Sequence, residues 1–101
     1  MSVIEIYALI PTDSLIHNWD QADIDLIDID ASAARYAEQV LALLREWYPD
    51  TSIDIEWTHN SLDRTRTTIS ASSIQDEEEA EAVVANAEEK IYNDMEWIVY
   101  A

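Results

Sequence analysis

The sequence predicts an α+β fold, in which two helices cover one face of a four-stranded antiparallel sheet. Four short segments place apolar residues at the alternating spacing of a β-strand, and two longer segments place them at helical spacing. Their order along the 101 residues is β-α-β-β-α-β. This order is the split βαβ or ferredoxin-like arrangement. The length suits one hydrophobic core, so we expect a single domain over residues 1–101.

The first predicted strand, residues 3–10, is largely apolar on both faces, which is typical of a central strand. Pro11 ends it, because proline has no backbone N–H to donate. One face carries Ile4, Ile6, Ala8 and Ile10, and the other carries Val3, Glu5, Tyr7 and Leu9.

In residues 12–30 the apolar residues follow neither the alternating spacing of a strand nor the spacing of a helix throughout, which predicts an ordered loop with a short helical turn. The loop carries five aspartates: Asp20, Asp23, Asp25, Asp28 and Asp30. Counted from Asp23, the position that needs glycine in an EF-hand loop is Asp28, so the calcium motif is excluded. We interpret the aspartates as solvated loop and capping residues, with a weak cation site as the alternative and no metal site predicted.

Two helices are predicted, over residues 31–48 and 76–93. Asp28 or Asp30 would begin the first, and Pro49 would end it. Ser73 or Asp76 would begin the second, whose first turn is rich in glutamate, as the helix dipole favours. The apolar stripes are Ala33, Ala37, Val40, Leu41, Leu44 and Trp47 or Tyr48 in the first, and Ala80, Val83, Val84, Ala87 and Ile91 in the second.

Residues 52–59 and 64–72 are predicted to form a hairpin. Pairing Glu56 with Arg66 brings opposite charges together, worth about 0.2–1 kcal/mol. The same register pairs Thr58 with Arg64 and Ile53 with Ile69, and a pairing of residues 56 and 67 would contradict it. Residues 95–100 are the last predicted strand, with Met95, Trp97 and Val99 inward and Glu96, Ile98 and Tyr100 outward.

Charge and composition exclude several functions. The net charge is −17, so nucleic acids and anionic membranes should be repelled. The chain has no glycine, which excludes the Walker loop, the dinucleotide fingerprint and the nucleophile elbow. It has no cysteine, which excludes a disulfide framework and a thiolate metal site, and we expect no cofactor. The N-terminus does not resemble a signal segment, so we expect a cytoplasmic location.

Neither histidine has a metal-ligand spacing. His17 could pair with Asp13 or Asp20 as a base, but almost any histidine in so acidic a chain could be paired in that way. We interpret His59 as a turn residue.

The sheet face away from the helices should expose an apolar patch rimmed by charge, which usually marks an interface. We expect a homodimer to form there. The alternative is that residues 12–30 fold over the patch as a lid, through Leu15, Ile16 and Trp19. The predicted interface residues are Val3, Tyr7, Leu9, Ile98 and Tyr100.

The leading hypothesis is therefore a non-enzymatic protein-interaction module that associates with itself or with a basic protein. A ligand-binding protein or enzyme is the first alternative, with His17, Trp19 and Tyr7 converging in a cleft. An inhibitor that mimics nucleic acid is the second, and plain solubility in a salty cytoplasm would also explain the acidity. The predicted acidic surface comprises Glu38, Glu46, Glu77, Glu81, Glu88 and Glu89.

Overall fold

The structure, a computed structural model, describes residues 3–59 and 66–101. The long central strand comes first in the chain, and two long helices follow it, each preceded by shorter elements. In chain order the elements are β1 (Val3–Pro11), α1 (Thr12–Ile16), α2 (Gln21–Ile24), α3 (Ile29–Trp47), β2 (Ser52–Thr58), β3 (Arg66–Ala71) and α4 (Ile74–Asp94).

The sheet has the strand order β2-β1-β3, with β1 parallel to β2 and antiparallel to β3. Ile6 of β1 lies between Ile53 of β2 and Ile69 of β3. The predicted α+β class and the central position of β1 are confirmed. The four-stranded antiparallel ferredoxin-like sandwich is not, because the described residues form three strands, with one parallel pair.

The predicted hairpin is wrong. Both strands pair with β1, so Glu56 and Arg66 lie on opposite sides of Leu9 instead of facing each other. A strand that follows a helical crossover can return parallel to the strand before it, and β2 does so along β1. The other edge of β1 is then left for β3. Arg64, in the predicted pair with Thr58, lies outside the described residues.

The predicted last strand is also wrong. Met95 adopts a left-handed conformation, with φ of 59°, and ends α4. Beyond it the chain makes a single antiparallel bridge, between Ile27 and Tyr100. Trp97 is fully buried, as expected, but Met95, which should also have pointed inward, is half exposed.

The hydrophobic core lies between the sheet and the helix pair α3 and α4, which cover the same face. α1 adds Leu15 to this core, and the segment after α4 adds Trp97. The strands and long helices supply the rest, namely Ile6, Ile10, Ile69, Ala33, Tyr36, Val40, Leu44, Ala80, Val84 and Ala87.

Both long helices begin at capping side chains that the sequence offers as alternatives. Asp28 caps α3, its Oδ1 accepting from the Ala31 N–H at 3.1 Å. Ser73 caps α4, its Oγ accepting from the Asp76 N–H at 3.1 Å. Of the two residues offered for the end of the core face of α3, Tyr48 packs against the core, whereas Trp47 is 66% exposed.

Candidate functional site

The five predicted interface residues do not lie on one surface. Tyr7 and Leu9 point to the sheet face away from the helices, here called the open face. Val3 packs against the core, and Ile98 and Tyr100 follow α4. The structure therefore divides the set between three places, and an interface role for each residue stays a prediction.

The open face is polar. Glu5, Asp54 and Glu56 are exposed on it, while Leu9 is only 8% exposed between Glu56 and Arg66. The Tyr7 hydroxyl donates to Glu56 Oε2 at 2.8 Å, and this hydrogen bond raises the pKa of Tyr7. Two such faces packed together would bring carboxylates against carboxylates, which is unfavourable.

Residues 12–30 pack on the helix-facing core rather than over the open face. Leu15 belongs to the core, and Ile16 and Trp19 pack against it. The Tyr92 hydroxyl donates to the Leu15 carbonyl at 2.8 Å and fixes α1 to α4. The lid alternative is therefore not what the structure shows.

An apolar cavity lies between residues 18–27 and residues 95–100, and we call it the tail groove. Its volume is about 350 Å³. Loop residues form one wall and the segment after α4 forms the other. The lining residues are Asn18, Trp19, Asp20, Asp23, Leu26, Ile27, Met95, Ile98 and Tyr100.

Large apolar side chains are unusually exposed along this groove. Leu26 is 60% exposed, Met95 49% and Tyr100 71%. Asp20 and Asp23 are exposed at its rim, and none of the described residues that line it is basic. An apolar patch with a charged rim is typical of an interaction site. Two of the predicted interface residues, Ile98 and Tyr100, lie in this groove, whereas Leu26 and Met95 were not predicted.

Backbone hydrogen bonds hold the two walls together. The Asp28 N–H donates to the Val99 carbonyl at 2.8 Å, and the Ala101 N–H donates to the Leu26 carbonyl at 3.0 Å. The Ser32 hydroxyl, fully buried, accepts from the Val99 N–H at 2.9 Å and donates to the Val99 carbonyl at 3.3 Å. The two walls of the groove are therefore joined by hydrogen bonds within the chain.

Aromatic rings form the base beneath the groove. Trp97 is fully buried, with its ring centroid 6.0 Å from that of Trp19, 5.7 Å from Tyr36 and 5.5 Å from Tyr92. Its Nε1 donates to the Tyr92 carbonyl at 3.2 Å. The buried indole thus joins α3, α4 and the Trp19 wall of the groove.

We expect Ser32→Ala to lower the free energy of unfolding by about 1–3 kcal/mol, because it leaves Val99 without its side-chain partner in a buried site. Ser14→Ala is the matched control. Ser14 is also helical, but it is half-buried and donates only to the nearby Pro11 carbonyl, at 2.7 Å. Urea denaturation measures both, and equal losses would contradict the role of Ser32 in holding the segment after α4.

The predicted acidic surface lies on the helices, with Glu38 and Glu46 on α3 and the rest on α4. Four members are exposed, whereas Glu77 and Glu88 are half-buried. Burial raises the pKa of Glu88. Burial also raises the pKa of Tyr36, whose hydroxyl donates to the Glu88 carbonyl at 3.2 Å, and the charge of Glu88 adds to the shift.

We expect Glu88→Gln to stabilise the protein near neutral pH. A carboxyl whose pKa is raised by folding favours the folded state while it is protonated, and this contribution is lost as pH rises through the raised pKa. The gain should therefore be absent in acid and grow with increasing pH. Thermal unfolding across pH measures it, with the exposed neighbour variant Glu89→Gln as the charge-matched control. Identical pH profiles for the two variants would contradict the assignment.

The residues of the enzyme alternative do not converge. Tyr7 lies on the open face, whereas Trp19 lies in the tail groove. His17 is exposed outside the groove lining, with Nδ1 3.3 Å from the Ser14 carbonyl oxygen.

His59 makes contacts that the sequence did not indicate. Its Nε2 lies 2.6 Å from Asp30 Oδ1, and its Nδ1 lies 3.4 Å from Thr12 Oγ1. The order hydroxyl, imidazole and carboxylate resembles a nucleophilic triad. Thr12 is only 4% exposed, however, so a substrate would not reach its hydroxyl. The contacts tie the end of β2 to α1 and to the first turn of α3, and the parallel pairing of Pro11 with Thr58 produces them.

The five aspartates of residues 20–30 do not form a metal centre. Among the described residues, no three histidine or carboxylate side chains are grouped closely enough to hold a metal ion. Asp28 is used as the α3 cap and Asp30 contacts His59.

Comparison with models of protein families, with curated proteins and with solved structures finds no match for this chain. In the described part of the chain, no helix combines the length and the apolar composition needed to span a membrane. The geometry of the tail groove is therefore the observation from which a function is inferred.

Proposed function

We propose that the protein is a non-enzymatic interaction module that binds a basic protein partner in the tail groove. The observation that carries this proposal is the combination of three exposed apolar side chains with an acidic rim. Leu26, Met95 and Tyr100 offer contact area, and Asp20 and Asp23 attract cationic groups. The partner segment would insert an apolar side chain between flanking lysine or arginine residues.

The charge of the whole chain supports a basic partner. A net charge of −17 speeds the approach of cationic proteins and opposes anionic ones, nucleic acids and acidic membranes included. Charges at the rim of an interface mainly set the association rate and the choice of partner, while the apolar contacts slow dissociation. Affinity should therefore fall as salt rises, because the rim charges are exposed to screening.

The other hypotheses have less support. Self-association through the open face is opposed by the carboxylates of Glu5, Asp54 and Glu56. A catalytic cleft would need His17, Trp19 and Tyr7 together, and they lie apart. Mimicry of nucleic acid would use the acidic helix surface instead of the tail groove, so locating the binding site distinguishes that hypothesis from this proposal.

Titration calorimetry with synthetic peptides tests the proposal. The probe is a short peptide of alternating lysine and leucine, compared with one of alternating glutamate and leucine and one of alternating lysine and serine. We expect one lysine–leucine peptide to bind per chain, with an affinity that falls as salt is raised, and the other two to bind much more weakly. Equal binding of the lysine–serine peptide, or no binding of lysine–leucine, would contradict the proposal.

A further inference from the structure

The two outer strands of the sheet differ in charge. Of the described strands, β2 and β3 lie at the edges, with β1 between them. β2 carries Asp54 and Glu56, whereas the six residues of β3 include no carboxylate and only one charge, Arg66. Natural proteins place charges on edge strands to prevent pairing with another chain. The interior of β3, Thr67 to Ser70, has no such charge and is rich in β-branched residues, which favour strand pairing.

We propose that two copies of the chain join by antiparallel pairing of their β3 strands, which makes one continuous six-stranded sheet. The register that places Thr68 opposite its own copy keeps both helix layers on the same side of the sheet. It sets Thr67 opposite Ile69 and Arg66 opposite Ser70. Residues directly opposite point to the same face, so Ile69 of one copy meets the β-branched side chain of Thr67 of the other on the helix side.

Charge complementarity supports this register. Ser70 pairs with Glu5 of β1, and both are exposed on the open face. Arg66 of the second copy would lie beyond Ser70, two strand spacings or about 10 Å from Glu5. Ser70 is small, so the arginine side chain can pass over it to the carboxylate. The twofold symmetry makes two such pairs, and Arg66 takes part in neither of the ion pairs found among the described residues, His59–Asp30 and Lys90–Asp94.

The pairing of β3 strands does not involve the tail groove, and its dependence on salt distinguishes it from the binding of a basic partner in that groove. Two copies that each carry a charge of −17 repel each other, and salt screens this repulsion. Dimerisation should therefore strengthen as salt rises, whereas binding of a basic partner in the groove should weaken. The contact surface of this dimer also differs from that of the predicted homodimer. The predicted homodimer would pack the open faces together, whereas this one uses an edge of the sheet.

Analytical ultracentrifugation of the full chain, over a concentration series in high salt, tests the proposal. The decisive variants are Ser70→Lys and Ser52→Lys. Both residues are exposed, both pair with Glu5, and both variants add one ammonium group to the open face. They differ only in the edge they change. Ser70→Lys should raise the dissociation constant of the dimer by about tenfold or more, because it places a second cation directly opposite Arg66 of the other copy.

Ser52→Lys should leave the dissociation constant within about twofold of the wild type, since β2 lies two strands away from the proposed contact. Circular dichroism confirms that each variant is folded, and Thr68→Lys, which brings two lysines together, gives an independent loss of dimer. A wild-type chain that stays monomeric in high salt would overturn the proposal, and so would equal weakening by Ser52→Lys.

Discussion

Trp97→Ala should lower the free energy of unfolding by about 3–5 kcal/mol, the usual cost of removing a large buried aromatic side chain. Trp97 is fully buried and contacts the rings of Trp19, Tyr36 and Tyr92. Its loss would open a cavity where α3, α4 and the loop wall of the tail groove meet. Because a small domain is stable by only about 5–15 kcal/mol, this loss is a large share of the total.

Urea denaturation followed by circular dichroism measures this effect, with Trp47→Ala as the matched control. Trp47 is the same residue type at the end of α3, but it is 66% exposed, so its replacement should cost less than about 1 kcal/mol. If the alanine variant does not fold, Trp97→Phe keeps a ring but loses the hydrogen bond to the Tyr92 carbonyl and should show a smaller loss. Similar stability of the Trp97 and Trp47 variants would contradict the central position of Trp97.

Asp23→Lys should weaken binding of the lysine–leucine peptide by about tenfold or more at low salt, because it reverses a charge at the groove rim. The control is Glu81→Lys, which makes the same change of net charge on the exposed surface of α4. It removes the same amount of long-range attraction but leaves the groove intact. Calorimetry on both variants therefore separates binding in the groove from general attraction to an acidic protein.

An apolar variant completes this test. Leu26→Ser should weaken binding at every salt concentration, because Leu26 is 60% exposed in the groove and its contribution is not electrostatic. Equal effects of Asp23→Lys and Glu81→Lys, together with no effect of Leu26→Ser, would show that the peptide binds to the acidic helix surface instead.

The elements that the sequence predicts well are those determined by local pattern. The 3.6-residue period and the capping side chains Asp28 and Ser73 place both long helices within two residues of their observed ends. The two apolar faces of β1 correctly predict that it is central. These features depend on residues close together in the chain, so a single sequence contains them.

Strand partners could not be predicted in the same way. Glu56 and Arg66 suggested a hairpin, but an attraction of about 0.2–1 kcal/mol between exposed charges is small beside the burial of the helix-facing sides of β2 and β3 along β1. The pattern of β2 and β3 is the same whether they pair with each other or with β1. The contact of His59 with Thr12 and Asp30 depends on the parallel pairing of β1 with β2, so the sequence alone could not predict it either.

The tail groove was only partly predictable for a similar reason. Ile98 and Tyr100 were expected to be accessible because they alternate with the inward residue Trp97. The left-handed turn at Met95, made in a chain that has no glycine, was not expected. That turn brings the end of the chain beside Ile27, and the groove results from it.

Amide chemical shifts of the labelled protein, followed during titration with the lysine–leucine peptide, test the central proposal most directly. Binding in the tail groove predicts that the largest changes fall on residues 18–27 and 95–101, and that they fade as salt is raised. Largest changes on the exposed glutamates of α3 and α4, or on the open face of the sheet, would contradict it.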